Sequence, residues 1–431
     1  MEYLSLVGIV IGLFVLVFLA LRGWHILLIA PLSAAVVLLM SGKGVVDGLS
    51  GPYMDGFIGF AKNLFFIFWG GAIFAKVMDD SGAAKSIATA ILKLTGTSRY
   101  LYVILAIVIS TLLLTYGGVS VWVVVFAIAP IARAMFRDSD ISWHFFPGIL
   151  VLGSWTAGMT MLPGTPQVHN IIPIKYLGTN TTAAPLIGVV AAVVCLSIGI
   201  LYFNWIVKAS KTKGCGYAGT DPKEDKIMVG DQKLPGMIIS IIPSAALLVC
   251  MNVFKLNPFL AFCAGIVTAF VLLWNYLETP LKTAIDGAVG SAIPLINTCA
   301  DVGFGKVVST VAGFGLIQAA LQHLGHGYVS VAVATNIMVG VTGSASGGLG
   351  IVMEVFSKQW LSYGLDPSVI HRIAAIAAGG FDTMPHNGAV ITLLAVVGLT
   401  HKEAYKHIFV SSVICPVIAL IVVIPLAIMI Y

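Results

Sequence analysis

Four short polar clusters interrupt otherwise apolar sequence, and their residue types suit the binding of a solute rather than the breaking of a bond. LTYGGVSVW (114–122) offers Thr115, Gly117, Gly118 and Ser120, and PGTPQVHN (163–170) offers Thr165, Gln167, His169 and Asn170. VTGSASGGLG (341–350) offers Thr342, Ser344, Ser346 and Gly347, and FDTMPHNGAV (381–390) offers Asp382, Thr383, His386 and Asn387. Hydroxyls and amides donate and accept hydrogen bonds without carrying charge, while the glycines and prolines beside them interrupt helices. A helix that restarts after such a break presents unpaired N–H groups and a partial positive charge, which suits a carboxylate. None of the four clusters holds Lys or Arg. An anion there would depend on helix ends and neutral donors, which favours a small, singly charged solute; Lys62, Lys306 and Lys358 are the cations that folding could bring near it.

Ionisable residues at membrane depth are expensive, and each is a functional candidate by default. Asp382 and His386, with His169 as the counterpart in the first half, are the candidates for ion coupling, since imidazole changes charge near neutral pH and a desolvated carboxyl can carry a proton. The competing reading makes each histidine a partner of neighbouring backbone. Asp301 and Glu354 are weaker candidates, expected to pair at helical spacing with Lys306 and Lys358. His25, His144, His323, His326, His371, His401 and His407 fall near predicted span ends or in surface segments and form no HExxH spacing, so no metal is expected. There is no Walker A loop and no GxSxG elbow in a suitable context. The chain reads as a non-enzyme without cofactors.

The elements that must position these clusters follow from composition. Of 431 residues, 59% are hydrophobic and 10% charged, whereas soluble chains carry about 25% charged residues. Mean hydropathy is +1.02, and apolar runs of roughly 20 residues, enough to cross about 30 Å of hydrocarbon, recur along the chain. The run from about 3 to 20 lacks a basic leader and a small-residue cleavage site, and reads as a retained span. Six cysteines lie far apart without CxxC spacing and read as small core residues. The net charge of +5 is spread over span ends and one linker, which argues for membrane topology and against nucleic acid.

The long polar stretch 208–234 is the expected cytoplasmic linker between two halves, 1–207 and 235–431. Spans near 3–21, 24–41 and 57–78 correspond to spans near 235–254, 258–275 and 288–308. Each half continues with an amphipathic segment (83–94, 315–324), a re-entrant hairpin (101–135, 328–362), a span broken by the Pro-His-Asn cluster (146–178, 368–398) and a final span (184–207, 408–430). The predicted fold is an all-α polytopic membrane protein with about ten spans and two hairpins, the halves forming an inverted-topology repeat. With the linker inside, sixteen of the 23 Lys and Arg residues face the cytoplasm, which satisfies the positive-inside rule and puts both termini outside. A break at membrane depth is tolerated only where protein or a wet cavity covers it, so four breaks in matched positions imply one shared polar site. Close helix packing is the plainer use of Gly and Pro, but packing alone does not call for the polar side chains.

GGFDTMPHNGAVITLLAVVGLTHKEAYKHIF (379–409) and PGTPQVHNIIP (163–173) resemble the gluconate permease family of the ion transporter superfamily, most closely its D-β-hydroxybutyrate permeases. The resemblance covers essentially the whole chain. It implies a proton-driven bacterial inner-membrane symporter of small hydroxy- or sugar-acid anions, dimeric, with a scaffold domain (3–41 and 235–275) and a transport domain that moves like an elevator. Thr115 to Ser120, Gly164 to Asn170, Thr342 to Gly348 and Asp382 to Asn387 would then hold the substrate. Sodium-coupled relatives carry Ser-Asn-Thr at the hairpin tips; TYGGVS and TGSASGG depart from that pattern, so protons are the expected coupling ion and sodium the alternative. The expected cargo is 3-hydroxybutyrate ahead of gluconate or glycerate, with an anion channel and a membrane enzyme as the readings from other classes.

Overall fold

The computed structural model describes residues 2–22, 24–95, 100–119, 121–222, 234–323, 327–342, 345–385 and 387–431, and those residues are helical with no strand. The first half comprises α1 (Glu2–Leu21), α2 (Ile26–Met40), α3 (Val45–Gly48), α4 (Met54–Asp80), α5 (Ala83–Thr95), α6 (Tyr100–Tyr116), α7 (Val121–Asp138), α8 (Phe146–Val151), α9 (Val168–Leu177) and α10 (Pro185–Thr212). The second comprises α11 (Met237–Asn252), α12 (Pro258–Leu273), α13 (Pro280–Gly290), α14 (Ala292–Thr310), α15 (Gly313–His323), α16 (Tyr328–Thr342), α17 (Ala345–Ser362), α18 (Pro367–Ala378), α19 (Gly388–Val397), α20 (His401–Phe409) and α21 (Cys415–Ile430). In both halves two apolar helices precede a longer unit, an amphipathic helix, a helical hairpin, an interrupted helix and a last long helix.

Among the described residues four helical stretches are long and apolar enough to cross a bilayer: Val45–Asp80, Pro185–Thr212, Pro258–Tyr276 and His401–Ile430. Shorter apolar helices accompany them. Their outward faces carry large apolar side chains, such as Ile238 at 77% and Val271 at 73% exposure, in a density that water does not support and lipid does.

Local chemistry sets the helix starts. Asp366 caps α18 by accepting from Ser368 N and Val369 N at 2.8 and 3.1 Å, with Pro367 in the first turn. Thr400 and Glu403 form a capping box that starts α20 at His401, so the last helix begins seven residues before the expected 408. Helix α10 runs to Thr212, past the expected linker boundary at 208, because Lys208 to Thr212 continue the helix with basic residues at its C-terminal end, where the dipole favours them. Residues 213–222 beyond it are tied to the rest of the protein. Asp221 accepts from Arg133 Nε at 2.8 Å and Tyr217 Oη at 2.7 Å, and Thr220 Oγ1 accepts from Trp143 N at 2.9 Å. Residues 213–222 thereby dock on the base of the α6–α7 hairpin, and Arg133 also donates to Val397 O at the end of α19.

Two groups of helices meet in the middle. In one, α4 packs on α12, α13 and α14, α14 on α2, α2 on α1, and α11 on α12. In the other, α16 packs on α17 and α18, α9 on α17 and α18, and α10 on α21. The groups meet where α14 packs on α17; α5 packs on α6 and α11, and α15 on α1.

Candidate functional site

The helix is interrupted once within 146–178 and once within 368–398. After α8 the chain widens into a π-helical stretch, Leu152–Met161, stops, and restarts as α9. After α18 it passes through a single 3-10 turn, Phe381–Thr383, and restarts as α19. The same device closes each gap: Asn170 Nδ2 reaches back five residues to Thr165 O at 2.9 Å, and Asn387 Nδ2 reaches back five residues to Asp382 O at 2.6 Å. These bonds satisfy carbonyls that the interruption leaves without helical partners.

From each break one side chain also reaches the hairpin of its own half. Gln167 Nε2 donates to Thr115 O at 2.8 Å, near the end of α6, and to Val119 O at 3.3 Å, in the tip that follows it. Asp382 Oδ1 accepts from Ala345 N at 2.8 Å, the first residue of α17, and from Asn387 Nδ2 at 3.0 Å. Gly118 turns the first tip with φ of +89°, a region that L side chains rarely adopt. Thr115 Oγ1 bonds Ser154 Oγ at 2.6 Å, tying α6 to the widened stretch. The two broken spans touch as well: Thr160 lies directly against Gly379, where an added Cβ would fall 2.7 Å from Thr160 Oγ1. Thr156 Oγ1 reaches the last helical unit, donating to Ser411 O at 3.3 Å.

Most of the expected binding groups are engaged in building these breaks. Thr165 Oγ1 donates to Gly158 O at 3.1 Å, Thr383 Oγ1 bonds Ser412 Oγ, and Ser346 Oγ meets Thr298 Oγ1 at 3.2 Å. Gly117 packs near Ser244 of α11, and Gly347 against Asp301 of α14. Ser120, Ser344, His386 and the side chain of Thr342 lie outside the described residues. The expectation that every restarted helix points free amides into a cavity needs correction. Asp382 caps α17, and Asn387 Oδ1 caps α19 by accepting from Ala389 N at 2.6 Å and Val390 N at 3.2 Å. Helix α9 differs: no side chain caps its start, and the neighbouring His169, 8% exposed, has an Nδ1 with no partner among the described residues.

Three further expectations change. Lys306 Nζ pairs with Glu354 Oε1 at 2.5 Å across α14 and α17, so Asp301 does not pair with Lys306 nor Glu354 with Lys358; close packing of the two helices outcompetes spacing along one. Arg372, one of the seven Lys and Arg residues that the sixteen-to-seven charge bias leaves on the outer side, is fully buried in α18, donating to Ala183 O at 3.0 Å, Thr181 O at 3.2 Å and Met161 O at 3.3 Å. It holds the C-terminal end of the widened stretch, where a cation complements the helix dipole. His371 and His407, expected at span ends, are buried: His371 bridges Asn170 Oδ1 at 3.1 Å and Thr179 Oγ1 at 2.7 Å, and His407 Nδ1 meets Tyr202 Oη at 2.8 Å. The adjacent His-Arg pair inside an apolar helix was the available signal, because such residues at membrane depth must find partners.

A cavity of about 470 Å³ adjoins the second break between α16 and α21, lined by apolar residues including Phe381, Val417 and Leu420, with Asn336 as the polar group. That lining suits hydrocarbon better than a hydroxylated carboxylate.

The chain matches the family model described as GntP family permease over residues 4–256. It is 36% identical over 457 aligned positions to a Bacillus subtilis protein named "Uncharacterized transporter YxjC", covering 95% of this chain and 96% of that one. A Haemophilus influenzae protein named "Uncharacterized transporter" is 28% identical over 352 positions, covering 78% of each. Interrupted apolar helices with buried polar ties, in a chain this similar to transporters along its length, make it a multi-pass membrane protein that belongs to the GntP permease family.

Proposed function

We propose that the protein is a symporter that imports a small hydroxymonocarboxylate, 3-hydroxybutyrate first, together with protons, by elevator-type alternating access. The observation that carries the solute class is the start of α9, where a half-buried helix N-terminus without a side-chain cap adjoins the unpartnered Nδ1 of the buried His169. Two aligned N–H groups and an imidazole accommodate one carboxylate. Gluconate- or glycerate-type acids are the alternative cargo, and sodium the alternative coupling ion. Expected coupling groups are His169, His386 and Asp382, although Asp382 Oδ1 already accepts two hydrogen bonds as a cap.

The matching order of elements, and the shared Asn ties at Asn170 and Asn387, support reading the halves as an inverted repeat. On that reading 3–41 and 235–275 form the scaffold of a homodimer in the bacterial inner membrane, both termini outside. Binding only to the native state raises apparent stability by mass action. A thermal-shift series with 3-hydroxybutyrate, glycerate and gluconate, at two pH values with and without sodium, should show one acid stabilising more at the lower pH irrespective of sodium. Equal melting with and without every acid would remove the solute class.

A further inference from the structure

The seam between α14 and α17 holds a carboxyl that the transport site described above does not use. Along this seam Thr298 Oγ1 lies 3.2 Å from Ser346 Oγ, Asp301 sits against Gly347, and Lys306 pairs with Glu354. A Cβ at Gly347 would fall 2.5 Å from Asp301 Oδ2, and one at Gly305 would fall 2.3 Å from Ile351, so the glycines are what let the α16–α17 hairpin come this close. Asp301 is 3% exposed, and its Oδ1 has no hydrogen-bond partner among the described residues. The ionisable groups facing it are Tyr53, from the segment before α4, and Cys299 on its own helix. Helix α2 carries no ionisable side chain, Asp55 and Lys62 of α4, Lys282 and Asp286 of α13 and Lys358 of α17 are exposed, Asp79 lies beside Asp80 at the C-terminal end of α4, Lys76 and Asp80 pair with each other, and Lys306 is taken by Glu354.

An ionised carboxylate in that position has an Oδ1 that has lost water without gaining a donor, whereas the neutral acid leaves only a weak dipole unpaired there. We propose that Asp301 is a proton-binding position at a moving seam, loaded when the α16–α17 hairpin rests on α14 and unloaded when the hairpin slides away. An O–H bond forms on the carboxylate with a proton from the water on the side where the seam is closing. It breaks, returning the proton to water, when the seam reopens toward the opposite side. This rests on the carrier reading, because it requires the hairpin to move.

The test separates the two. Purified protein in liposomes, carrying carbon-13-labelled aspartate, is titrated with pH and followed by the infrared band of protonated carboxyl groups. The expected result is an aspartic acid band at neutral pH in the native protein that is absent from Asp301→Asn; a variant that keeps every such band overturns the proposal. Gly347→Ala, which presses a methyl group on Oδ2, is the second variant, and an unmoved band there counts equally against it. In uptake, Asp301→Asn should lose at least tenfold in acid-driven accumulation of 3-hydroxybutyrate while retaining exchange of labelled for unlabelled solute. Accumulation equal to native overturns the proton site and leaves the carrier intact. A lost band without transport of the acid by either protein supports the proton site and removes the solute.

Discussion

Asn170 offers the sharpest test of how an interrupted helix survives at membrane depth. Its side chain donates to Thr165 O and Thr181 O and accepts at Oδ1 from His371 Nε2. In Asn170→Ala, Thr181 O keeps Gly164 N at 2.8 Å and Arg372 at 3.2 Å, so two buried groups, Thr165 O and His371 Nε2, lose their partners. Each buried polar group left bare costs about 1–3 kcal/mol, giving roughly 2–6 kcal/mol in all. Asn180 is the control: its Oδ1 accepts from Thr182 N and Oγ1 at 2.9 and 2.8 Å, but at an exposed turn where water can substitute. Asn180→Ala should therefore change stability by no more than about 0.5 kcal/mol. Reversible unfolding in mixed micelles, read by helicity and extrapolated to zero denaturant, compares the two. If Asn170→Ala falls within about 1 kcal/mol of Asn180→Ala, the tie does not hold the break closed and the reasoning fails.

Asp221→Ala should destabilise by about 3 kcal/mol, because it leaves the mostly buried Arg133 guanidinium without its counter-charge and with Val397 O as an acceptor, and salt should not rescue it; the same unfolding assay reads this. Cysteines replacing Thr298 and Ser346, whose hydroxyl oxygens lie 3.2 Å apart, should form a disulfide on oxidation that stops solute uptake, with reduction restoring it; unimpaired uptake in the bridged protein argues against a sliding seam. His169→Ala should raise KM for the carboxylate by about 10-fold or more, the value of one buried bond to a charged group, with folding unchanged by circular dichroism.

The apolar spans and the four interruptions were legible because hydropathy and helix breakers are local properties of the chain. Over 101–135 and 328–362 the structure has the helix pairs α6–α7 and α16–α17. What the residues at the breaks do was not legible. Asp382 looks in sequence like an isolated membrane carboxylate, yet it meets the amide of Ala345, 37 residues earlier, and acts as a helix cap. Lys306 and Glu354 stand 48 residues apart and meet only because glycines bring α14 and α17 together. Arg372 lies outside all four clusters, and its acceptors, Met161, Thr181 and Ala183, belong to the other half of the chain. Such pairings are set by tertiary packing, and spacing along one helix carries no record of them.

Proteoliposome uptake tests the central claim most directly. With the outside acidified, sodium absent and the protein as the sole transporter, radiolabelled 3-hydroxybutyrate should accumulate above its external concentration, and a protonophore should abolish that accumulation. Failure to concentrate 3-hydroxybutyrate, glycerate or gluconate under this gradient would contradict proton-driven import of a hydroxymonocarboxylate.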